Sequence, residues 1–205
     1  MSDKIILEKI RQFKEHLFEY NAATNIYSKK SYDLLDGHIQ DSLNLTDLIS
    51  GSKTHVDMGS GSGLPGVIMA IASQAEIICI ESKQKKRLFL HYVKEALDLP
   101  NLTIFDGDVQ LFAKMHSGPK ITSFSAKAFA KPPKLLMYLS MFKKHQFLKA
   151  ASCWVPISEN QANALRPFDD IISITTSGGQ EYLYFKIQMA TFQSYKADLK
   201  KQYNL

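Results

Sequence analysis

The chain has 205 residues, of which 45% are apolar, 22% charged and 11% aromatic. This excludes a disordered or fibrous protein and fits one globular domain, which at this size buries roughly 70% of its unfolded surface without a metal or disulfide staple. The net charge of +5 and pI near 9.0 are mildly basic, but the charge is uneven: no Asp or Glu occurs from Val109 to Ser158, where Lys114, Lys120, Lys127, Lys131, Lys134, Lys143, Lys144 and Lys149 fall. Such a stretch either solvates a surface or attracts a polyanion through counterion release.

The opening MSDKIILEKIRQFKEH alternates charged with apolar residues, and no long apolar run follows anywhere. A secretory leader and a membrane span are therefore not expected, and the chain reads as soluble and cytoplasmic. Cys79, in an apolar run, and Cys153, beside Trp154, have no CxxC or histidine partner and read as reduced thiols. No metal is expected.

Residues 3–19 carry Ile6, Leu7, Ile10, Phe13, Leu17 and Phe18 at helical spacing, with Ser2 placed to cap. A second helix is predicted over 32–49, on the stripe Leu34, Leu35, Ile39, Leu43 and Leu48, ended by Gly51. From Thr54 the pattern changes to strands alternating with helices. Strands are predicted at 54–58, 76–81, 102–105, 120–127 and 146–154, and helices at 65–74, 83–98 and 133–143. Segments 170–176 and 181–188, joined by Ser177-Gly178-Gly179-Gln180, read as an antiparallel hairpin. The expected fold is α/β: a helical N-terminal extension over residues 1–50, a doubly wound, mostly parallel sheet over 51–190, and a C-terminal antiparallel hairpin, all in one domain.

The sharpest local signal is HVDMGSGSGLPG, between a predicted strand and a predicted helix. Gly59, Gly61 and Gly63 let the backbone turn tightly and approach a ligand that a Cβ would repel. Gly61, Gly63 and Gly66 also spell GxGxxG, so the glycines alone do not choose between cofactors. Asp57 favours S-adenosylmethionine, because a carboxylate there suits a methionine ammonium and repels a pyrophosphate. Glu81, ending the second strand, can accept hydrogen bonds from both ribose hydroxyls, or can stand as a helix N-terminal carboxylate. Asp108, in FDGDVQ after the third strand, either reads an adenine amino group or caps the short helix that follows.

Lys131-Pro132-Pro133-Lys134 lacks the polar residue before and the aromatic after that the Pro-Pro loop of amino-methyltransferases requires. The histidines His16, His38, His55, His91, His116 and His145 show no metal-ligand spacing, and each reads as a surface or helix-packing residue. Methyl transfer to a ring nitrogen with a free lone pair needs no general base, only in-line placement.

Gly37-His38-Ile39-Gln40-Asp41-Ser42-Leu43, then D-M-G-S-G-S-G-L-P-G at Asp57–Gly66, then Glu81-Ser82-Lys83-Gln84-Lys85-Lys86-Arg87 and the segment Ser125 to Ala130 together resemble the bacterial small-subunit ribosomal RNA methyltransferase G family, also called glucose-inhibited division protein B. The resemblance covers roughly residues 15–190. It implies a class I (Rossmann-like) methyltransferase that moves a methyl group from S-adenosylmethionine to N7 of one guanine in 16S rRNA. Its partner would be 16S rRNA, the 30S subunit or a precursor, with no stable protein partner and no membrane. Carried across by position, the cofactor contacts are Gly59, Leu64, Val109, Gln110 and Lys127, beside Asp57, Gly61, Gly63, Glu81 and Asp108. Lys127 stands where the family usually has arginine, which keeps the charge and loses the planar fork. Lys127 and Phe129 are also the candidates for positioning the guanine.

RNA contacts are expected from Lys83, Lys85, Lys86 and Arg87 at a helix start, from the lysine-rich segment 114–149, Lys131 and Lys134 among it, and from His38, Asp41 and Ser42. His38 and Asp41, three apart on a helix, can equally pair with one another. Phe124 and Phe129 can stack a flipped base or fill the core. Two rival functions remain: an NAD-dependent oxidoreductase using the same glycine loop, and a non-catalytic RNA-binding or assembly protein that has kept the fold.

Overall fold

The computed structural model describes residues 2–157, 171–175 and 181–194. The chain opens with α1 (Asp3–Thr24), a 3₁₀ turn at Lys29–Leu34 and α2 (Leu35–Leu48). Alternation then follows: β1 (Thr54–Met58), α3 (Gly66–Ala72), β2 (Glu76–Glu81), α4 (Gln84–Ala96), β3 (Leu102–Asp106), α5 (Val109–Met115), β4 (Ile121–Ser125), α6 (Pro132–Leu139) and β5 (Phe147–Ile157). The last described elements are β6 (Ile171–Thr175), β7 (Glu181–Gln188) and α7 (Met189–Ser194).

Among the described residues, seven strands form one sheet in the order β3-β2-β1-β4-β5-β7-β6. Pairs from β3 through β5 are parallel, while β7 runs antiparallel to both β5 and β6. The order reverses between β1 and β4, and ligands of open α/β sheets bind in the crevice that such a reversal leaves at the carboxyl ends.

β1 is buried at every position and β2 at all but its first, as a strand covered on both faces must be. Period-two alternation divides the apolar side chains. Ile77 and Cys79 join a core with α3, α4, α1 and α2, through Val67, Ile68, Phe89, Phe13, Leu17, Leu35 and Ile39. Ile78 and Ile80 face a second core with α5 and α6, through Phe112, Leu135, Leu136 and Leu139. Helix α3 is buried from Gly66 through Ile71, because the sheet covers one side and the N-terminal helices the other.

Several element ends differ from expectation. Ser2 takes the N-cap position of α1, but its hydroxyl caps nothing; its carbonyl accepts from Ile5 and Ile6 N–H instead. The helix continues past residue 19 to Thr24, where Asn25 turns left-handed. The apolar stripe ended at Phe18, but Ala22 and Ala23 favour helix without needing a buried face. Residues 32–34 belong to the 3₁₀ turn rather than to α2, and α6 stops at Leu139. β5 runs on to Ile157 because β7 pairs with it from Ser152 onward. The hairpin is present as β6 and β7; its connecting residues 177–180 lie outside the described residues. Between the pairs Ile121↔Phe147 and Ser123↔Ser152 the β4–β5 register shifts, and the surplus backbone of β5 pushes Leu148, Lys149 and Ala150 into solvent.

Candidate cofactor crevice and its basic rim

The glycine loop leaves the carboxyl end of β1 and is fastened to β2, with Gly59 and Ser60 N–H donating to Ile80 O at 2.9 and 3.1 Å. Gly61 has φ +61°, and a Cβ there would meet Lys86 Nζ at 3.7 Å and Gly59 O at 3.8 Å, ordinary contact distances, so this part of the loop is uncrowded. Its N–H donates to Glu81 Oε2 at 2.9 Å, while Lys83 N–H donates to Oε1 at 2.7 Å. Glu81 is 6% exposed and holds the loops after β1 and β2 together. Each of its oxygens keeps further acceptor capacity. An open backbone cradle beside a buried double acceptor fits the ribose end of a nucleoside cofactor.

Gly59, at φ +73°, lies directly under Phe129, whose Cδ2 would be 2.2 Å from an added Cβ. Gly63 and Leu64 face inward; a Cβ on Gly63 would strike Val67 Cγ2 at 2.5 Å, and Leu64 belongs to the core. Phe129 is half-buried and tilts against Tyr138 at 5.1 Å, whereas Phe124 is fully buried among Phe142 and Phe147. Of the two aromatic candidates for stacking, only Phe129 reaches the crevice.

Asp57 is 1% exposed and lies beneath the loop. Ser125 Oγ donates to its Oδ1 at 2.7 Å and Gly66 N–H to its Oδ2 at 3.2 Å. Burial raises the carboxyl's pKa, and these two bonds, with one from Ser60 and the charge of Lys127, oppose the rise. His55, two residues earlier on the same strand face, is fully buried in β1, not on a surface or in helix packing as expected for a lone histidine. Its Nε2 lies 2.9 Å from Ser125 Oγ and its Nδ1 2.8 Å from Ser123 Oγ. Because Ser125 gives its proton to Asp57, His55 Nε2–H donates to Ser125 and Nδ1 accepts from Ser123. A one-way donor chain thus ends on the Asp57 carboxylate. Burial pushes the imidazole pKa down to about 3, keeping it neutral.

Asp108 takes the second of its two expected roles, capping α5 by accepting from Leu111 N–H at 2.8 Å. Val109 is buried in the second core, and Gln110 is exposed at the same helix start.

Lys127 forms an ion pair with Asp41, and Tyr184 OH donates to Asp41 Oδ1 at 2.6 Å. The pairing of His38 with Asp41 does not form; His38 Nδ1 instead meets Tyr27 OH at 2.7 Å. Burial, and then the Lys127 charge, lower the His38 pKa, against a pull upward from Asp41. Ser42 is fully buried with its hydroxyl donated to His38 O at 2.7 Å, so it presents nothing to an RNA. Sequence reasoning missed His55, Ser123 and Tyr184. A strand histidine two places before Asp57 was the available signal, but Ser123 and Ser125 are identified only by the register His55↔Ser123 and Asp57↔Ser125.

Lys83 and Lys85 are exposed at the start of α4, and Lys86 faces the glycine loop. Arg87 is less available, being held by Asp106 at 3.7 Å and by the Ser82 carbonyl. Lys131 and Lys134 are exposed on the opposite bank, at the start of α6, with Lys134 Nζ 5.7 Å from the Tyr138 ring centre. Among the described residues no group of His, Cys, Asp and Glu could hold a metal ion, and no helix is long and apolar enough to cross a membrane.

The strand order, the reversal at β1/β4 and the glycine loop at the carboxyl edge define a class I methyltransferase fold. An O-methyltransferase from Bacillus cereus solved with S-adenosylhomocysteine shares that fold with a TM-score of 0.57 at 11% identity, over 86% of this chain and 90% of that one. Residues 6–155 match the family described as rRNA small subunit methyltransferase G, and the chain belongs to that family. A ribosomal RNA small subunit methyltransferase G from Gluconobacter oxydans is 32% identical over 180 residues, covering 84% of this chain and 89% of the relative. Another from Helicobacter bizzozeronii is 39% identical over 97 residues, covering 47% of this chain and 54% of the relative.

Proposed function

We propose that this protein is an S-adenosylmethionine-dependent methyltransferase that methylates N7 of one guanine in 16S rRNA of the small ribosomal subunit. The observation that carries the reading is the uncrowded, left-handed Gly61 backbone beside the buried, doubly anchored Glu81. Family membership and fold support the same reading. S-adenosylmethionine, when bound, supplies an electrophilic methyl group on a cationic sulfur.

The chain's own part is to hold and orient. Glu81 accepts from the ribose hydroxyls while keeping its two backbone donors. Asp57 lies beneath the loop, where Ser125, Gly66 and the Lys127 charge favour its carboxylate form against the rise that burial imposes, and that form would oppose the donor's positive charge. Val109 and Gln110 offer backbone N–H groups at the start of α5, where those donors lack helix partners. Phe129 gives the target base a face to stack on, and the Asp41–Lys127 pair fixes the wall opposite. Guanine N7 needs no general base, so alignment supplies the acceleration. Lys83, Lys85, Lys86, Lys131 and Lys134 flank the crevice and take RNA phosphates. Helices α1 and α2 belong with the sheet in one domain, because their apolar faces share a core with α3 and α4.

The test is transfer of radiolabelled methyl groups to undermethylated 16S rRNA, followed by borohydride and aniline treatment, which breaks the strand at N7-methylguanine. One new break supports the proposal. Label without cleavage would move the methyl to another atom, and background label with measurable cofactor binding would leave a non-catalytic binding protein.

A further inference from the structure

The acid-free stretch does not form one basic surface; the fold sorts its lysines to opposite edges of the sheet. Lys127, Lys131 and Lys134 follow the carboxyl end of β4 and border the crevice. Lys114 is in the last turn of α5, Lys120 precedes β4, Lys143 and Lys144 precede β5, and Lys149 stands on the exposed bulge near the start of β5. These five mark the amino edge, one strand length from the crevice, about 17 Å for a five-residue strand.

Gln146 builds this edge into one unit. It is 4% exposed, and its Nε2 donates to Ala113 O at 2.7 Å and His116 O at 3.2 Å, at the end of α5. Its Oε1 accepts from Lys143 N–H at 2.6 Å, and its backbone carbonyl accepts from Ile121 N–H at 2.8 Å. One buried residue, through its side-chain amide and its backbone carbonyl, therefore fixes three lysine-bearing segments against each other. All five lysines are exposed, and none enters an ion pair among the described residues. Acids of the amino edge, Asp47 at the end of α2, Glu76 at the start of β2, Glu95 in the last turn of α4 and Asp98 before β3, belong to the β1, β2 and β3 side of the sheet. Like charges gathered at one edge repel one another, and a polyanion relieves the repulsion while releasing its own counterions.

We infer that Lys114, Lys120, Lys143, Lys144 and Lys149 form a second RNA-binding surface, which grips phosphates of the substrate away from the methylated base. The inference rests on the reading of the protein as an rRNA methyltransferase. RNA fits the surface because that substrate already occupies the other edge of the same sheet and is large enough to reach both. Phosphate contacts there add affinity and register without reading sequence.

The test uses the full chain with Lys143→Gln, Lys144→Gln and Lys149→Gln combined, and Lys131→Gln with Lys134→Gln as the crevice-side comparison. Binding of in vitro transcribed 16S rRNA is followed across a KCl titration, with methyl transfer kinetics, S-adenosylmethionine affinity and melting temperature measured alongside. At about 0.7 to 0.9 per phosphate contact, the triple variant should lower the log–log salt slope by about two to three. It should weaken RNA binding at least about tenfold near 0.1 M salt and raise KM for RNA rather than lower kcat. Melting temperature and cofactor affinity should hold. A wild-type protein that binds and methylates RNA, beside a triple variant with the same slope and KM, overturns this inference and leaves the functional reading standing. A wild type that neither binds nor methylates RNA overturns both. If the substitutions abolish binding to pure phosphatidylglycerol vesicles and leave RNA binding intact, the surface is a lipid contact and the inference fails.

Discussion

His55 should make folding stability fall through mildly acid pH. Its ordinary pKa of 6.5 is pushed to about 3 by burial, so below 6.5 the unfolded chain takes up a proton that the folded chain refuses. The contribution is whole above pH 6.5 and is lost progressively toward pH 3, at about 1.4 kcal/mol per pH unit. Between pH 7.5 and 4.5 the loss is about 2–3 kcal/mol. Protonation would also force Ser123 to become an acceptor, because Nε2–H is already committed to Ser125. Asp57 has the opposite sign: its carboxyl is raised, so the folded state binds that proton first and acid relieves part of the strain. The assay is urea denaturation across this range for the wild type and His55→Gln, whose amide can still donate and accept but does not titrate. The Asp57 contribution is shared, so the stability difference between the two proteins should shrink by about 2–3 kcal/mol on acidification. Parallel stability curves would refute the reasoning.

Other substitutions test other contacts. Lys127→Met leaves the Asp41 carboxylate buried without its cation and should cost about 3 kcal/mol in thermal or urea unfolding, while Lys127→Arg should restore most of it; equal melting temperatures would remove the pair from the stability account. Glu81→Ala frees two backbone donors and removes the ribose acceptor, so calorimetry should show S-adenosylmethionine affinity falling by about 1–3 kcal/mol. An unchanged dissociation constant would place the nucleoside elsewhere. Gly61→Ala puts a methyl group into the open cradle at positive φ and should cost about 1–2 kcal/mol of stability as well as cofactor affinity; near-native binding would show that the ligand does not approach this backbone.

The sheet was legible because its evidence is local. The apolar runs of β1 and β2, the glycines between β1 and α3, and the apolar runs of β6 and β7 each announce themselves within a dozen residues. The loop glycines and Glu81 followed from the same logic, and the structure brings Gly61 and Glu81 into hydrogen-bond contact. What could not be read was partnership across the chain. Lys127 and Asp41 are 86 residues apart, and Tyr184 reaches Asp41 over 143, so no period or spacing links them. The i, i+3 rule pointed His38 at Asp41, but Tyr27 from the preceding turn competes and wins. Likewise the basic stretch read as one surface, because sequence order does not reveal that a strand carries its flanking lysines to opposite ends of a sheet.

The burial of α3 on two sides fixes how the molecule can open. Val67, Ile68, Met69 and Ile71 lie under a roof made by the first two helices. Lifting that roof would expose a continuous greasy face and invite aggregation, so the N-terminal helices cannot swing aside like a lid to admit a large nucleic acid. A shortened chain beginning near residue 50 would lack its ceiling rather than an accessory. That leaves the side between the banks carrying Lys86 and Lys131 as the approach to the crevice.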